Sequence, residues 1–400
     1  MKKENRVERH IITKSHPMFK ICSEYTKKSK NLYNYANYIV RQEFINNNKF
    51  IKYSDLWRML KTEEVFKDIG SNSGQHTLKI LEHNWKSFFA AIKDWSKNPQ
   101  KYLGKPRLPN YLDKERGRFI CVLTNMQSQI KDGYLFFAFK PFKPFNNMIK
   151  VGFSGKHMQT RIIPKLGYYV LEIVYQIELP DLNNNTDRII GIDLGLSNLC
   201  TIQNNFAEKP FVINGRPLKS MNQYYNKEKA KIQSELKILN SLNWSNKLAR
   251  LTMKRDNKID DYLHNASRYI VNFCLAFNVD TVVIGKNTKW KQGFKRQQGF
   301  IQIPYEKLIG QLQYKLRDIG IKVVLTEESY TSKASFIDGD IMDKNVGFSG
   351  SRIKRGLYKT NNNTLINADV NGAGNIIRKV FPKAFDGIEG VGLHPVIINL

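Results

Sequence analysis

The sequence has 400 residues and carries 64 Lys and Arg against 35 Asp and Glu, a net charge of +29. This length predicts two or three domains, and a hydrophobic share of 41% is enough to build buried cores. The charge is far larger than solubility requires and is typical of a protein that binds a polyanion, most often nucleic acid.

The cysteines are spread along the chain and form no CxxC pair. They are Cys22, Cys121, Cys200 and Cys274. This spacing predicts neither a disulfide framework nor a cysteine-rich zinc site, and it fits a reducing cytoplasm. The first residues lack the apolar core of a signal peptide, and no apolar stretch is long enough to span a bilayer. We therefore expect a cytoplasmic protein with no membrane partner.

The N-terminal half predicts helices flanked by strands. An opening strand is predicted over 6–14, and aromatic and aliphatic residues then recur at helical spacing through 19–97. We interpret this aromatic stripe as core packing within a helical module. The region 117–180 alternates short apolar runs with turn signals and predicts antiparallel strands. We expect these strands to close a small β-barrel with the first strand, with the helical module inserted between them.

The C-terminal half follows a polar linker at 181–187 and has a more diagnostic order of elements. The predicted strands are 188–194, 199–203, 210–214, 281–284 and 321–325, and the predicted helices are 219–278 with a break at 241–245, 304–316 and 369–380. Three antiparallel strands followed by two parallel strands with crossover helices define the RNase H-like arrangement. The fold class that we predict is multidomain α+β, with an N-terminal barrel and a C-terminal RNase H-like α/β domain.

Two carboxylates can converge in that arrangement, because strands one, four and five lie side by side and the final helix packs beside strand one. Asp193 ends strand one, and Asp369 opens the final helix in a segment rich in small residues. An acid is costly in a core unless it is paired or bound to a metal. Alternatives without a catalytic role stay open for both residues: a turn-forming Asp193 and an Asp369 that caps its helix.

The third carboxylate is less obvious, because strand four ends at Gly285 with no acid beside it. Strand five ends instead in Glu327 and Glu328. Neighbouring side chains on a strand point to opposite faces, so we expect only one of them to reach the site. We favour Glu328 and keep Glu327 as the alternative. Two solvated acids at a strand end would also fit the sequence.

Carboxylates at one sheet edge suit Mg²⁺, which prefers hard oxygen ligands. Hydrolysis of a phosphodiester often uses two such ions, and holding both takes about three or four protein carboxylates. We therefore predict a two-metal Mg²⁺ site formed by Asp193, Glu328 and Asp369, which would also be the catalytic residues.

Several motifs in combination resemble the TnpB family of transposon-encoded, RNA-guided nucleases, which are related to the compact type V CRISPR effectors. They span most of 186–380 and are Gly191-Ile-Asp-Leu-Gly195, Asp261-Tyr-Leu-His264, Gly285-Lys-Asn-Thr-Lys-Trp-Lys-Gln292, Glu328-Ser-Tyr-Thr-Ser-Lys333, Arg352-Ile-Lys-Arg-Gly-Leu357 and Asn367-Ala-Asp-Val-Asn-Gly372. The N-terminal half matches more loosely, through Tyr38-Ile-Val-Arg41, Asn84-Trp-Lys-Ser87 and Gly104-Lys-Pro-Arg-Leu-Pro109.

The resemblance implies a domain order. It comprises a wedge β-barrel at 1–18 and 98–185, a helical recognition module at 19–97, a RuvC nuclease domain at 186–330 and 367–400, and an insert at 331–366. It also implies a guide RNA and target double-stranded DNA as partners, with one protein per guide RNA at the bacterial nucleoid. Base pairing would read most of the target, while the protein reads duplex shape and a short adjacent motif.

Two departures from the family pattern matter. The family's RuvC glutamate follows strand four, where this chain has Gly285, so the resemblance implies a branch with a relocated glutamate and favours Glu328. The cysteines of the family's zinc ribbon are missing between Ser332 and Asp369, and Ala334 stands where a cysteine is often found. We therefore expect no structural zinc, and an insert that folds without metal or is partly mobile.

The basic residues that we select as candidates for binding nucleic acid lie in both halves of the chain. They are Lys105, Arg107, Lys140, Lys143, Lys254, Arg255, Lys286, Lys289, Arg352, Lys354 and Arg355. We expect an RNA-guided DNA endonuclease of transposon or CRISPR context. The alternative is an RNA-guided DNA-binding protein or repressor with an inactive nuclease, motivated by the missing acid after strand four. A DNA-strand transferase is less favoured, because the sequence offers no separate domain for binding transposon ends.

Overall fold

The computed structural model describes residues 3–182, 186–240, 244–286, 303–343 and 345–400. They form two compact units, Lys3–Glu178 and Leu179–Leu400. Each unit has a hydrophobic core of its own. Within the described ranges, no helix is both long and apolar enough to cross a membrane.

The first unit combines an antiparallel sheet with helices. Its helices are α1 (Phe19–Asn47), α2 (Tyr53–Leu60), α3 (Glu64–Lys67) and α4 (Ser71–Lys97), and its strands are β1 (Lys3–Ile12), β2 (Cys121–Thr124), β3 (Ser128–Lys131), β4 (Tyr134–Phe137), β5 (Lys156–Lys165) and β6 (Tyr168–Glu178). Short 3-10 helices occupy Pro99–Lys101 and Lys140–Phe145. The main sheet has the order β1-β6-β5-β2, and the four helices come between β1 and β2 in the chain, as predicted.

The predicted barrel closure is not formed by residues 3–182. β1 and β2 are the two edges of the four-stranded sheet, and β3 pairs with β4 in a separate hairpin. Helices α1 and α4 pack on the strands, and one core includes side chains from both. Because helices cover its apolar face, the sheet buries that face without closing on itself.

The sequence pattern did not predict the strand β5. Most positions of Lys-His-Met-Gln-Thr-Arg-Ile-Ile-Pro-Lys are polar or charged, so the apolar alternation is weak. Its pairing with β6 along its length gives it the strand conformation. The apolar run at 148–151, one of those in the region 117–180 where we expect strands, makes only an isolated bridge, between Tyr134 and Lys150.

The aromatic stripe of α4 packs in the core, as predicted. Trp85 is fully buried, and its Nε1 donates a hydrogen bond of 3.0 Å to Oδ1 of Asn37 in α1. Its ring contacts Phe44, Phe88 and Phe89 at centroid distances of 5.4–6.0 Å. These rings therefore stabilise the first unit rather than offering a stacking surface for bases.

The second unit contains the predicted succession of strands and helices. Its strands are β7 (Ile189–Leu194), β8 (Asn198–Asn204), β9 (Phe211–Asn214), β10 (Thr281–Gly285), β11 (Lys322–Thr326), β12 (Ser351–Lys354), β13 (Leu357–Lys359), β14 (Leu365–Asn367) and β15 (Val396–Ile398), and its helices are α5 (Arg216–Asn240), α6 (Asn246–Ala276), α7 (Tyr305–Arg317) and α8 (Ala368–Val380). The main sheet has the order β11-β10-β7-β8-β9-β15. Strands β7, β10 and β11 are adjacent and parallel, which confirms the predicted neighbours. The sixth strand, β15, was not predicted.

Helix α8 lies directly on the sheet, against β7, β8 and β10. A Cβ atom at Gly191 in β7 would collide with the carbonyl oxygen of Ala373, and one at Gly372 would lie 2.9 Å from Asp193 Oδ2. The small residues of this helix therefore permit the close approach that the sequence predicted, and they set the first turn of α8 beside the end of β7.

The insert before α8 carries a small antiparallel sheet, β12-β13-β14. Side-chain amides of α8 hold the segment leading into it. Asn371 donates to the carbonyl of Ala334 at 2.8 Å, and Asn375 donates to the carbonyls of Thr331 and Ala334 at 2.9 and 2.6 Å. The ring of Phe336 packs against Gly374, where a side chain would leave no room for it. The insert is thus fixed to the same helix that carries Asp369.

Candidate active site

The predicted acids converge at one rim of the main sheet. Asp193 lies near the end of β7, Asp369 lies in the first turn of α8, and Glu328 follows β11. Asp193 and Asp369 line the same cavity, which has a volume of about 510 Å³. Glu328 lies close enough that its charge acts on Asp193. The fold therefore brings together three side chains that are far apart in the sequence.

Asp369 is not the cap of its helix, so that alternative is wrong. Asn367 occupies the cap position, and its side-chain oxygen accepts hydrogen bonds from the backbone N–H groups of Asp369 and Val370. The carboxylate of Asp369 instead accepts a hydrogen bond of 2.6 Å from Nδ2 of Asn198, at the start of β8. No sequence pattern pointed to Asn198, although it closes the Gly-Leu-Ser-Asn turn that follows Asp193.

Asp193 lies in a strongly acidic environment. Burial raises its pKa well above the ordinary value, and the charges of Glu328 and Asp369 raise it further. Arg352 and the backbone N–H of Leu194 act in the opposite direction. The carboxylates at this rim thus repel one another in the absence of a cation.

Glu328, and not Glu327, faces the site. Glu327 is exposed, accepts a hydrogen bond from the Ser329 hydroxyl and forms an ion pair of 3.2 Å with Lys379, and these contacts lower its pKa. Burial raises the pKa of Glu328 to about 7, with a further contribution from the charge of Glu327. The Oε1 atom of Glu328 is buried and has no hydrogen-bond donor among the described residues. The two glutamates therefore occupy opposite electrostatic environments.

Gly285 makes room for Glu328. A Cβ atom at this position would lie 2.8 Å from Glu328 Oε1 and 2.9 Å from its Cγ. Gly285 ends β10, whose register with β7 pairs Ile284 with Ile192 and so places Gly285 beside Asp193. Glu328 thus occupies the space of the side chain that is missing at the end of β10.

The turn that carries Glu328 is held by the final helix. The backbone N–H and the hydroxyl of Thr331 both donate to the carbonyl of Glu328, at 3.3 and 2.9 Å. The carbonyl of Thr331 in turn accepts from Asn375 of α8. One helix therefore presents Asp369 and also fixes the position of Glu328.

The chemistry of these residues fits a divalent cation, because all three offer carboxylate oxygens at the same rim. Within the described part of the chain, no three Asp, Glu, His or Cys side chains are arranged to hold one ion. Mg²⁺ does not require such a cage, since it keeps several waters and is usually bound by one or two carboxylates together with substrate phosphates. The buried oxygen of Glu328 without a donor and the mutual repulsion at the rim both favour a cation there.

Cations surround the same cavity. Arg352 of β12 and Arg355 of the following turn were predicted to bind nucleic acid, and both line it. Arg216 and Lys219 of α5 also line it and were not predicted. Lys354 is exposed on β12.

The other basic candidates are more scattered. Lys286 forms an ion pair of 3.0 Å with Glu306, and Arg255 pairs with Asp256 at 2.9 Å. Lys254 is exposed on α6, and Lys289 lies outside the described residues. In the first unit, the remaining candidates are all exposed, and they are Lys105, Arg107, Lys140 and Lys143.

Comparisons with known proteins agree with this architecture. Two family descriptions match the chain, "Probable transposase" over residues 172–291 and "Cas12f1-like, TNB domain" over residues 305–376. A relative from Escherichia coli strain K12, "Putative RNA-guided DNA endonuclease InsQ", is 23% identical over 362 residues, which cover 82% of this chain and 81% of that protein. A solved Cas12f1–sgRNA–target DNA complex matches with a TM-score of 0.51 and 15% identity, covering 90% of this chain and 82% of the other.

The fold is thus the multidomain α+β fold of Cas12-type effectors. These matches support the resemblance to the TnpB family that the motifs of the chain indicate.

Proposed function

We propose that this protein is an Mg²⁺-dependent, RNA-guided DNA endonuclease with Asp193, Glu328 and Asp369 as its catalytic carboxylates. The observation that carries the proposal is the convergence of these acids at one rim of an RNase H-like sheet, in a chain that resembles the TnpB family. The relative InsQ is named as an RNA-guided DNA endonuclease, and the matched Cas12f1 structure holds a guide RNA and target DNA. The net charge of +29 suits a chain that holds both nucleic acids.

Each residue has a distinct part in this proposal. Mg²⁺ held by the carboxylates would supply the Lewis acid that neutralises charge on the scissile phosphate. Asn198 orients the carboxylate of Asp369 through its hydrogen bond. Thr331 and Asn375 position Glu328 by fixing its turn. The absence of an acid after β10, which motivated a nuclease-inactive protein, is compensated by Glu328 above Gly285.

The proposed nuclease function also implies the binding partners. A guide RNA would pair with one strand of target double-stranded DNA, and the protein would read a short motif beside the paired segment. We expect one protein per guide RNA, in the bacterial cytoplasm.

The test is to purify the protein from its native locus and to sequence the RNA that accompanies it. The complex is then incubated with plasmids that carry the matched target beside a randomised flank, with Mg²⁺ or with EDTA. We expect cutting that requires the guide match and Mg²⁺, and that an Asp193→Ala complex lacks. Cutting by Asp193→Ala at the wild-type rate would refute the catalytic assignment. Guide-dependent binding without cutting by the wild-type protein would establish the DNA-binding alternative instead.

A further inference from the structure

We propose that four cationic side chains at the carboxylate cavity bind phosphates of one DNA strand on both sides of the acids. We call this arrangement the two-sided phosphate cradle. Arg352 and Arg355 form one side, and Arg216 and Lys219 of α5 form the other. The α5 pair is a phosphate-binding subsite that the sequence motifs did not indicate. The proposal rests on the proposed nuclease function for the identity of the strand.

The α5 side is fixed next to Asp193 by backbone contacts. The N–H of Gly215, immediately before α5, donates to the carbonyl of Ser197 at 2.8 Å. A Cβ atom at Gly215 would collide with the carbonyl of Leu196, so the start of the helix lies directly on the turn that follows Asp193. Arg216 and Lys219 are in the first turn of α5. Their distance from the acids is therefore set by this packing and not by a mobile loop.

The opposite side is fixed next to Asp369. Arg355 lies in the tight turn between β12 and β13, where Gly356 has a φ of +82°. The carbonyl of Gly356 accepts a hydrogen bond of 3.1 Å from the N–H of Ala368, the residue before Asp369. Arg352 in β12, three residues before Arg355, is near enough for its charge to act on Asp193. The insert thus brings its cations to the rim through the same helix that carries Asp369.

The four cations are available for a ligand. None of them forms an ion pair with a carboxylate in the described ranges, whereas Lys286 and Arg255 of the same unit do. Arginine binds phosphate through a fork of N–H donors, and lysine binds it as a point charge. Cations on one element that packs beside Asp193 and on another that packs beside Asp369 match a chain of phosphates whose middle member lies at the acids. A single small anion would occupy only one side.

The cradle can be tested by chemical protection, because all four native cysteines are buried. A single cysteine is introduced at exposed Arg216 or Arg355, and at exposed Lys237 as a control on the same helix, α5. The full-length proteins are labelled with a maleimide in Mg²⁺-free buffer, with and without a short single-stranded DNA oligonucleotide. We expect the oligonucleotide to slow labelling several-fold in Arg216→Cys and Arg355→Cys and to leave Lys237→Cys unchanged. Protection at Arg355→Cys alone, or equal slowing at all three positions, would overturn the two-sided cradle.

A second arm uses the guided complex. A target strand with a neutral methylphosphonate in place of one phosphate beside the cut should be cut more slowly by the wild-type complex. Lys219→Ala should slow cutting of the normal strand but cause no further loss on the neutral strand, because both changes remove the same contact. Additive losses at every modified position would overturn the α5 subsite. The protection arm needs no cutting, so failure of the nuclease proposal and failure of the cradle give different results.

Discussion

The carboxylate of Glu328 lies over Gly285, so the turn after β11 supplies an acid where a side chain on β10 would otherwise be. The two residues depend on each other. Any Cβ at residue 285 would lie within 3 Å of the Glu328 side chain and also of Ile376 Cδ1. Glycine at 285 and glutamate at 328 are therefore one structural solution for placing a carboxylate beside Asp193.

This relationship predicts that the acid can be moved back to β10. Gly285→Glu alone should reduce cutting strongly, because its side chain displaces Glu328 and overpacks against Ile376, at a cost of about 1–3 kcal/mol in stability. Glu328→Ala alone should also be inactive. The double variant should recover cutting well above that of Glu328→Ala, measured as the initial rate on a matched plasmid. A double variant that is folded and binds DNA but cuts no better than Glu328→Ala would contradict the exchange.

The two glutamates should differ sharply when each is neutralised. Glu328→Gln should lower the cutting rate by about two orders of magnitude or more, the scale of losing one preorganised charged group, while leaving guide-dependent DNA binding intact. Glu327→Gln should stay close to wild type, because Glu327 is exposed and already paired with Lys379. The cutting rate and the DNA affinity of both variants, the latter from filter binding, measure this difference. The reverse order of effects would transfer the role to Glu327.

Asn375 should contribute strongly to stability, because its amide holds the segment from Thr331 to Ala334 on α8. Asn375→Asp keeps the shape but turns an acceptor toward the carbonyls of Thr331 and Ala334, and the buried site then lacks its donor. We expect the free energy of unfolding to fall by about 2–3 kcal/mol. Urea denaturation curves of the variant and the wild type measure this difference.

The matched control is Asn362→Asp, which places the same charge change on an exposed loop of the insert and should leave stability unchanged. If both variants unfold at the same urea concentration as the wild type, the amide contacts of α8 do not hold the insert.

Removing the charge of Asp193 should stabilise the metal-free protein. Its carboxylate is buried beside Glu328 and Asp369, and the neutral amide of Asp193→Asn relieves that repulsion. A gain of about 1 kcal/mol corresponds to a rise of roughly 2–4 °C in Tm for a domain of this size. Mg²⁺ should raise the Tm of the wild-type protein and do so much less in Asp193→Asn. An Asp193→Asn protein with an unchanged metal-free Tm and a full response to Mg²⁺ would count against the cation site.

Lys315 should make the stability depend on pH. It is buried between α6 and α7, where its Nζ donates to the His264 carbonyl and the Ser267 hydroxyl at 2.9 and 2.7 Å. Burial, with a smaller effect from Arg268, lowers its pKa to about 8 from the ordinary 10.5. Below pH 8 the folded state must hold a buried charge, which lowers the free energy of unfolding. Between about pH 8 and 10.5 the folded state has lost this proton while the unfolded state still binds it, so the destabilisation decreases as the pH rises.

The variant Lys315→Met should therefore be most favourable relative to wild type at pH 7 and lose this advantage by pH 10. Urea midpoints at both pH values measure the difference, with Lys322→Met on the exposed side of β11 as the control. A difference between Lys315→Met and wild type that is constant with pH would show that Lys315 keeps an ordinary pKa.

Much of the second unit could be predicted from the sequence, because its elements are encoded locally. The apolar run before Asp193 predicted the bounds of β7 to within one residue. The order of strands and helices predicted that β7, β10 and β11 are neighbours in the sheet. The resemblance to the TnpB family likewise depends on contiguous motifs. In the first unit the same reasoning failed for β5, whose conformation depends on its pairing with β6 rather than on its own apolar pattern.

The sequence by itself determined that Asp193, Asp369 and one of two adjacent glutamates were available at strand and helix ends. Only the tertiary structure shows that Glu328 lies against β10, because alternation along a strand indicates that Glu327 and Glu328 diverge but not which of them faces β10. It also decided that Asn367 and not Asp369 caps α8, that the first sheet stays open, and that Arg216 and Lys219 join the rim. These features depend on contacts between residues far apart in the chain, and such contacts are fixed by packing rather than by local sequence.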